Sequence, residues 1–217
     1  MMRDIYQEQL NNLHQELIQM GDACEEIIGL ASDALTDCSR ELEEKTAQVG
    51  ASIDQSERTI EDTCLKLLLR QQPVAGDLRR ISAAMKMITD MERIGDQAED
   101  IVDLVPKMKQ GAGDNYLKIR EMANAARYMV TEAVNAFVRQ DLELATAVTD
   151  YDDVVDDYFN RIKSDILDFI AGNPGEGEYA LDLLMVAKYF ERIGDHATNI
   201  AEWVIFSVTG VHPETNE

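Results

Sequence analysis

The pentapeptide Glu-Arg-Ile-Gly-Asp occupies residues 92–96 of this chain and returns unchanged at residues 191–195. Each copy lies in a pattern of apolar residues typical of an α-helix, so its Glu and Asp, four positions apart, fall on one face. Two carboxylates at this spacing repel each other, and the glycine between them costs a helix about 1 kcal/mol relative to alanine. Because both penalties recur at matching places, we expect the pentapeptides to have a function, and a cation shared between helices is the sharpest hypothesis.

The repetition extends beyond the pentapeptide to most of the chain. Met20 aligns with Met122, and residues 34–35 align with 136–137, at an offset of 102 residues, whereas the pentapeptides are 99 residues apart. The second copy therefore has three fewer residues between its second and third helices. Amphipathic helices joined by short turns bury their apolar stripes against one another. The sequence predicts an all-α fold of two tandem, pseudo-symmetric, antiparallel three-helix bundles, with domains at residues 1–110 and 111–217.

Prolines and glycines mark the expected helix ends. Asp77 is predicted as the N-cap of the third helix. The segment 106–114, which contains Gly111 and Gly113, is the best candidate for a linker between the copies. The six predicted helices span about residues 4–37, 41–70, 77–105, 115–138, 142–170 and 179–208.

The composition limits the classes of partner. The chain has 42 acidic and 20 basic residues and a formal charge of −22, which disfavours nucleic acid and anionic lipid surfaces and favours divalent cations or basic protein patches. The sequence contains no run of 18 or more apolar residues that could span a membrane, and its first residues carry no apolar export signal. The three cysteines Cys24, Cys38 and Cys64 form no CxxC pair. We therefore expect a cytoplasmic protein with reduced, mostly buried cysteines.

Acidic residues extend each pentapeptide into a longer row. In the first copy the row is Glu92, Asp96 and Asp100, and in the second it is Glu191, Asp195 and Asn199, whose amide oxygen replaces a carboxylate. The second helix of each copy offers acids that could face these rows: Asp54 and Glu57 in the first copy, Asp152 and Asp156 in the second. All these donors are oxygen atoms, which suit Mg²⁺, Mn²⁺, Ca²⁺ or iron.

Two alternatives to a regulatory metal site follow from the same residues. Acids at this spacing are common on solvated helices, and Arg93 and Arg192 could neutralise them, which would make the chain a metal-free helical adaptor. Carboxylate-bridged dimetal enzymes are also helical bundles, but their sites use Glu-x-x-His pairs. None of the three histidines has a Glu three residues before it. We therefore expect no catalytic site.

The motifs together are similar to those of a known family. Residues 72–79 read Gln-Pro-Val-Ala-Gly-Asp-Leu-Arg, and the second pentapeptide continues as His-Ala-Thr-Asn-Ile at residues 196–200. With the two pentapeptides, these stretches closely resemble the PhoU family of bacterial regulators of phosphate uptake. The resemblance covers nearly the whole chain. It implies a cytoplasmic negative regulator that links the ATPase subunit of the phosphate ABC transporter to a sensor histidine kinase, and that self-associates, commonly as a homodimer.

The resemblance also implies metal binding through pairs of Glu/Asp-x-x-x-Asp motifs. The ions would be divalent or multinuclear iron, zinc, manganese or magnesium, with the identity open. Carried over to this chain, the ligands are the acidic and amide residues of the two rows and of the helices facing them. Gly50 departs from the acid usual at its position, so the first cluster is expected to be weaker or smaller than the second.

Overall fold

Six long helices make up most of the part of the chain that the structure describes. The computed structural model describes residues 2–71, 73–108 and 115–213, and among these residues it contains no β-strand. The helices are α1 (Met2–Ala34), α2 (Arg40–Gln71), α3 (Ala75–Leu104), α4 (Asn115–Arg139), α5 (Leu142–Gly172) and α6 (Gly177–Thr209). Short 3-10 turns at Val105–Lys107 and Pro174–Glu176 precede the second copy and α6. The all-α prediction is confirmed, and the predicted helix limits are correct to within about three residues.

The helix ends show one error in the predicted capping. The α3 helix begins at Ala75 after Val74, which makes no side-chain capping bond, so the prediction of Asp77 as the N-cap is wrong. Asp77 lies in the first helical turn, where a carboxylate still interacts favourably with the positive end of the helix dipole. A side-chain cap occurs at α5, where the Asp141 carboxylate accepts a 3.0 Å bond from the amide of Leu144. Most of the predicted linker, residues 109–114, and the domain boundary at 110/111 lie outside the described residues.

The helices pack as the predicted pair of bundles. Helices α1, α2 and α3 contact one another, as do α4, α5 and α6, and the two bundles join through α3 against α6 and α1 against α4. The buried apolar side chains of both bundles form one continuous hydrophobic core. All three cysteines are free, with Cys24 and Cys64 buried and Cys38 exposed. No helix in the described part of the chain combines the length and hydropathy needed to cross a membrane.

Polar contacts between α3 and α6 reveal an approximate twofold relation between the bundles. Asp90 of α3 lies 2.9 Å from Nδ1 of His196 and accepts a 3.2 Å bond from the amide of Asn199 on α6. In the opposite direction, the Tyr189 hydroxyl of α6 donates to Asp100 of α3. Under the 99-residue offset Asp90 corresponds to Tyr189, and Asp100 to Asn199. The two copies thus contact each other through equivalent positions on their third helices.

Candidate metal centres

Each bundle has one acidic cleft between its second and third helices. The first acidic cleft lies between α2 and α3, and the second lies between α5 and α6. In each cleft the carboxylates of one helix act electrostatically on those of the other. The first acidic cleft consists of Asp54, Glu57, Glu92, Asp96 and Glu99, and the second of Asp152, Asp156, Glu191 and Asp195.

The pentapeptide glycines allow the helices of each cleft to approach closely. A Cβ atom at Gly95 would lie 3.3 Å from Cδ1 of Ile53 on α2, and one at Gly194 would lie 3.1 Å from Cγ1 of Val155 on α5. Both contacts are tighter than ordinary packing of aliphatic carbons at about 3.5–4.0 Å. The glycines therefore bring the acidic rows near the facing helices.

Partial burial and repulsion between neighbouring acids are the main electrostatic features of the first acidic cleft. Partial burial and the Asp96 carboxylate raise the pKa of Glu92, and Arg93 opposes this rise. Burial, followed by Glu61 and Asp54, likewise raises the pKa of Glu57. The Arg93 guanidinium lies 2.9 Å from a carboxylate oxygen of Asp96 and 3.3 Å from one of Glu92. Because Arg93 is half exposed, it neutralises these acids only in part.

In the second acidic cleft, burial is the first cause of the raised pKa values, and repulsion between the acids adds to it. Burial, with Asp156 and Asp195, raises the pKa of Asp152 to about 6, and the neighbouring Thr198 hydroxyl opposes this rise. Loss of solvent contact and the Glu191 carboxylate raise the pKa of both Asp156 and Asp195. The Lys188 ammonium pairs with Glu191 and lowers the pKa values of Asp156 and Asp195 against these effects. The cluster nevertheless retains a surplus of negative charge.

The donor chemistry of both clefts fits a hard divalent cation. Every donor is a carboxylate oxygen, as Mg²⁺, Mn²⁺ and Ca²⁺ prefer. Over the described ranges, however, no three His, Cys, Asp or Glu side chains converge closely enough to hold a metal ion. Cation binding would therefore require the carboxylates to rotate towards a common point, within clefts whose backbones already bring them near one another.

The last residue of each predicted row departs from expectation. Asp100 is exposed, and it interacts with Tyr189 and Arg192 of α6. The side chain of Asn199 donates to Asp90 of α3. Both side chains thus make contacts with the opposite bundle, which the expectation of rows facing the second helix of their own copy did not include. The physical reason is helical phase, since eight residues rotate a side chain by about 80° beyond two full turns.

Sequence reasoning missed one acid that lies in the first acidic cleft. Glu99 interacts with Asp54 of α2 and Asp96 of its own helix. The signal was available, because Glu99 follows Glu92 by seven residues, and seven residues return a helix to within about 20° of the same face. The four-residue spacing from Asp96 instead predicts Asp100 as the next member of the row.

A further surface groove lies apart from both clefts. Its volume is about 420 Å³, and it is lined mainly by α1, with Lys45 of α2 and Arg127 of α4. None of the predicted ligands lines this groove. Its acids are partly paired, as in the 2.7 Å contact between Lys45 and Glu26. The groove therefore adds no donor to the candidate metal centres.

Comparison with known proteins places these two bundles in a family. The family model described as the PhoU domain matches residues 17–105 and again residues 119–204. The two matches coincide with the two three-helix copies. One relative is the "Phosphate-specific transport system accessory protein PhoU homolog" of Clostridium acetobutylicum, which is 33% identical over 100% of both chains. A protein of the same name from Pseudomonas aeruginosa is 34% identical over 93% of this chain and 84% of its own.

Solved structures agree with the same assignment. The crystal structure of PhoU from Pseudomonas aeruginosa has a TM-score of 0.88 and 32% identity, covering 95% of this chain and 100% of that one. A phosphate transport system regulatory protein PhoU from Streptococcus pneumoniae shares the fold, with a TM-score of 0.87 at 24% identity over 96% of this chain and 99% of its own. These names describe accessory or regulatory proteins and not enzymes, in agreement with the expectation of no catalytic site. The duplicated helical plan and the repeated matches show that the chain belongs to the PhoU family.

Proposed function

We propose that this protein is a metal-binding regulator of phosphate uptake that represses the phosphate-starvation response when phosphate is plentiful. The observation that carries the proposal is the pair of acidic clefts at equivalent places in the two bundles of a PhoU-family chain. The names of its relatives, which describe accessory proteins of the phosphate-specific transport system, support the link to transport.

The proposed metal ligands are those cleft carboxylates that the sequence pattern predicts. Asp100 and Asn199, which contact the opposite bundle, are left out of this set. A bound divalent cation, whether iron, zinc, manganese or magnesium, would supply the positive charge that the clefts lack. The ligands are Asp54, Glu57, Glu92 and Asp96 in the first acidic cleft, and Asp152, Asp156, Glu191 and Asp195 in the second.

The effect of the clefts on the molecule is structural. Without a counter-charge, the ionised acids repel one another, and burial together with this repulsion raises the pKa of Asp152. Neutralised carboxylates hold α2 against α3 and α5 against α6, and so stabilise one arrangement of the bundles. A defined outer surface is then available for partner proteins.

The proposed partners are the ATPase subunit of the phosphate ABC transporter and the sensor histidine kinase of the phosphate regulon, contacted in the cytoplasm. The formal charge of −22 favours basic patches on such partners. Self-association as a homodimer is part of the same proposal. No catalytic step is required of the protein in this role.

A complementation experiment tests the regulatory function. A strain lacking its PhoU gene would receive the wild-type chain or the Asp96→Asn/Asp195→Asn variant, with a reporter under a phosphate-starvation promoter. In phosphate-rich medium we expect repression by the wild-type chain and loss of repression with the variant. Metal content of the purified proteins, prepared without chelators, would be measured in parallel.

The control variant removes the same charge elsewhere. Asp62→Asn/Asp168→Asn alters one exposed acid on α2 and one on α5 and should repress like the wild-type chain. If the cleft variant represses as well as the wild-type chain, regulation does not depend on the clefts. Absence of metal from the wild-type protein, even after incubation with Mn²⁺, Fe²⁺ or Mg²⁺, would instead favour the metal-free adaptor.

A further inference from the structure

The space above Gly50 in α2 is filled by an acid from the neighbouring helix. Gly50 is buried, and under the 102-residue offset it corresponds to Asp152 of the second acidic cleft. A Cβ atom at position 50 would overlap Oε1 of Glu99, which extends from α3. In the first bundle the Glu99 carboxylate thus occupies the position that corresponds to Cβ of Asp152 in the second bundle. This carboxylate belongs to the third helix of its bundle, whereas Asp152 belongs to the second helix.

The second bundle shows the reciprocal arrangement. The counterpart of Glu99, at the 99-residue offset, is Thr198 on α6. Its short side chain leaves room for Asp152, and its hydroxyl lies beside that carboxylate. One bundle therefore pairs a glycine on the second helix with a glutamate on the third, and the other pairs an aspartate with a threonine. The acid lies on the third helix in the first bundle and on the second helix in the second bundle, at equivalent pairs of positions.

The direction of Glu99 supports its place in the cleft. Glu92 and Glu99 are seven residues apart and share a face of α3 to within about 20°. The acids that act most strongly on Glu99 are Asp54 across the cleft and Asp96 one turn earlier, and together with burial they raise its pKa. Its neighbour Asp100 is instead bonded to Tyr189 of α6.

We propose that Glu99 supplies to the first acidic cleft the metal-binding carboxylate that Asp152 supplies to the second. This inference rests on the proposed metal-binding function and adds a ligand to it. It replaces the expectation that Gly50 leaves the first centre short of an acid. The cleft keeps its carboxylate because a long side chain on α3 reaches over the glycine, whereas a short side chain on α5 is enough in the second.

The test measures Mn²⁺ binding to the full chain in the Asp195→Asn background, where the second acidic cleft is impaired. Adding Glu99→Gln should weaken the remaining binding by about tenfold or more, because a direct ligand matters at least as much as the groups that orient ligands. Asp100→Asn, which removes the adjacent charge, should leave Mn²⁺ affinity unchanged. Far-ultraviolet circular dichroism would establish that each variant is folded.

A transplant variant tests the equivalence of the two positions. Gly50→Asp/Glu99→Thr rebuilds the arrangement of the second bundle in the first and should restore the Mn²⁺ affinity that Glu99→Gln loses. Failure of this rescue would overturn the equivalence with Asp152. Unchanged affinity in Glu99→Gln, together with lost binding in Asp96→Asn, would overturn the inference and leave the proposed function intact. Absence of Mn²⁺, Fe²⁺ and Mg²⁺ binding by the wild-type chain would overturn both.

Discussion

The two acidic clefts are equivalent in position but differ in how they hold their charge. In the first, Arg93 contacts both pentapeptide acids, and Glu99 reaches over a glycine. In the second, Lys188 pairs with Glu191, and burial together with the surrounding acids raises the pKa of Asp152 to about 6. The charged side chains of the two clefts are therefore unequally compensated, although the backbones are equivalent. We expect the second cleft to depend more on a counter-ion than the first.

The largest expected effect is stabilisation by metal. A cation present at about 100 times its dissociation constant should add about 2.7 kcal/mol to the free energy of unfolding for each cleft it occupies. Thermal unfolding with Mn²⁺ and with a chelator would measure this difference. The single variants Asp96→Asn and Asp195→Asn should each lose the contribution of one cleft. An equal response to Mn²⁺ in the wild-type chain and both variants would show that the ions bind elsewhere.

The next largest expected effect concerns the stability of the second acidic cleft in the absence of metal. Asp152→Asn removes an ionised carboxylate that is unfavourable at neutral pH, so the chelated protein should gain about 1–2 kcal/mol in unfolding free energy after allowance for solvent screening. Urea unfolding at pH 7 would measure the change. Asp168→Asn, on an exposed part of the same helix, should leave it unaltered. Destabilisation by Asp152→Asn would contradict the assignment of repulsion to this residue.

Acidity should act in the same direction as that substitution. Because the folded-state pKa of Asp152 is raised to about 6, the folded chain binds more protons than the unfolded chain between about pH 4 and pH 6. Stability of the chelated protein should therefore rise by about 1 kcal/mol as the pH falls from 7.5 to 5.5. Melting temperatures across this range would measure it. The Asp152→Asn variant should show a smaller rise, and an equal rise in both would assign the effect to other groups.

The smallest expected effect concerns Gly50 of α2, at the first acidic cleft. Gly29→Ala in α1 has only an ordinary contact near its new Cβ and should stabilise the protein by about 0.5–1 kcal/mol. Gly50→Ala should gain less, because the new Cβ displaces the Glu99 carboxylate. Chemical unfolding of both variants would compare them. A full gain at Gly50, with unchanged Mn²⁺ affinity, would show that the position of Glu99 is incidental.

Most of the architecture could be predicted from the sequence because apolar periodicity and proline positions report directly on helices. The repeated pentapeptide also lies on the third helix of each bundle, beside the acidic clefts. The errors arose where a small rotation or a side-chain length decides the outcome. Asp100 and Asn199 are a single residue past the face of the cleft, and a spacing pattern read in steps of four did not resolve that difference. Gly50 appeared to be a missing ligand because its neighbour in space, Glu99, is remote in sequence.

The contact between α3 and α6 has a consequence for the origin of the chain. Asp90 meets Asn199, and the counterparts of these two residues, Tyr189 and Asp100, meet in the same way on the other side of the interface. Two identical three-helix chains joined about a twofold axis would make this self-complementary contact between their third helices. The present protein is what duplication and fusion of such a dimer would leave. The two halves of a fused chain can differ at equivalent positions, as Gly50 and Glu99 in the first half differ from Asp152 and Thr198 in the second.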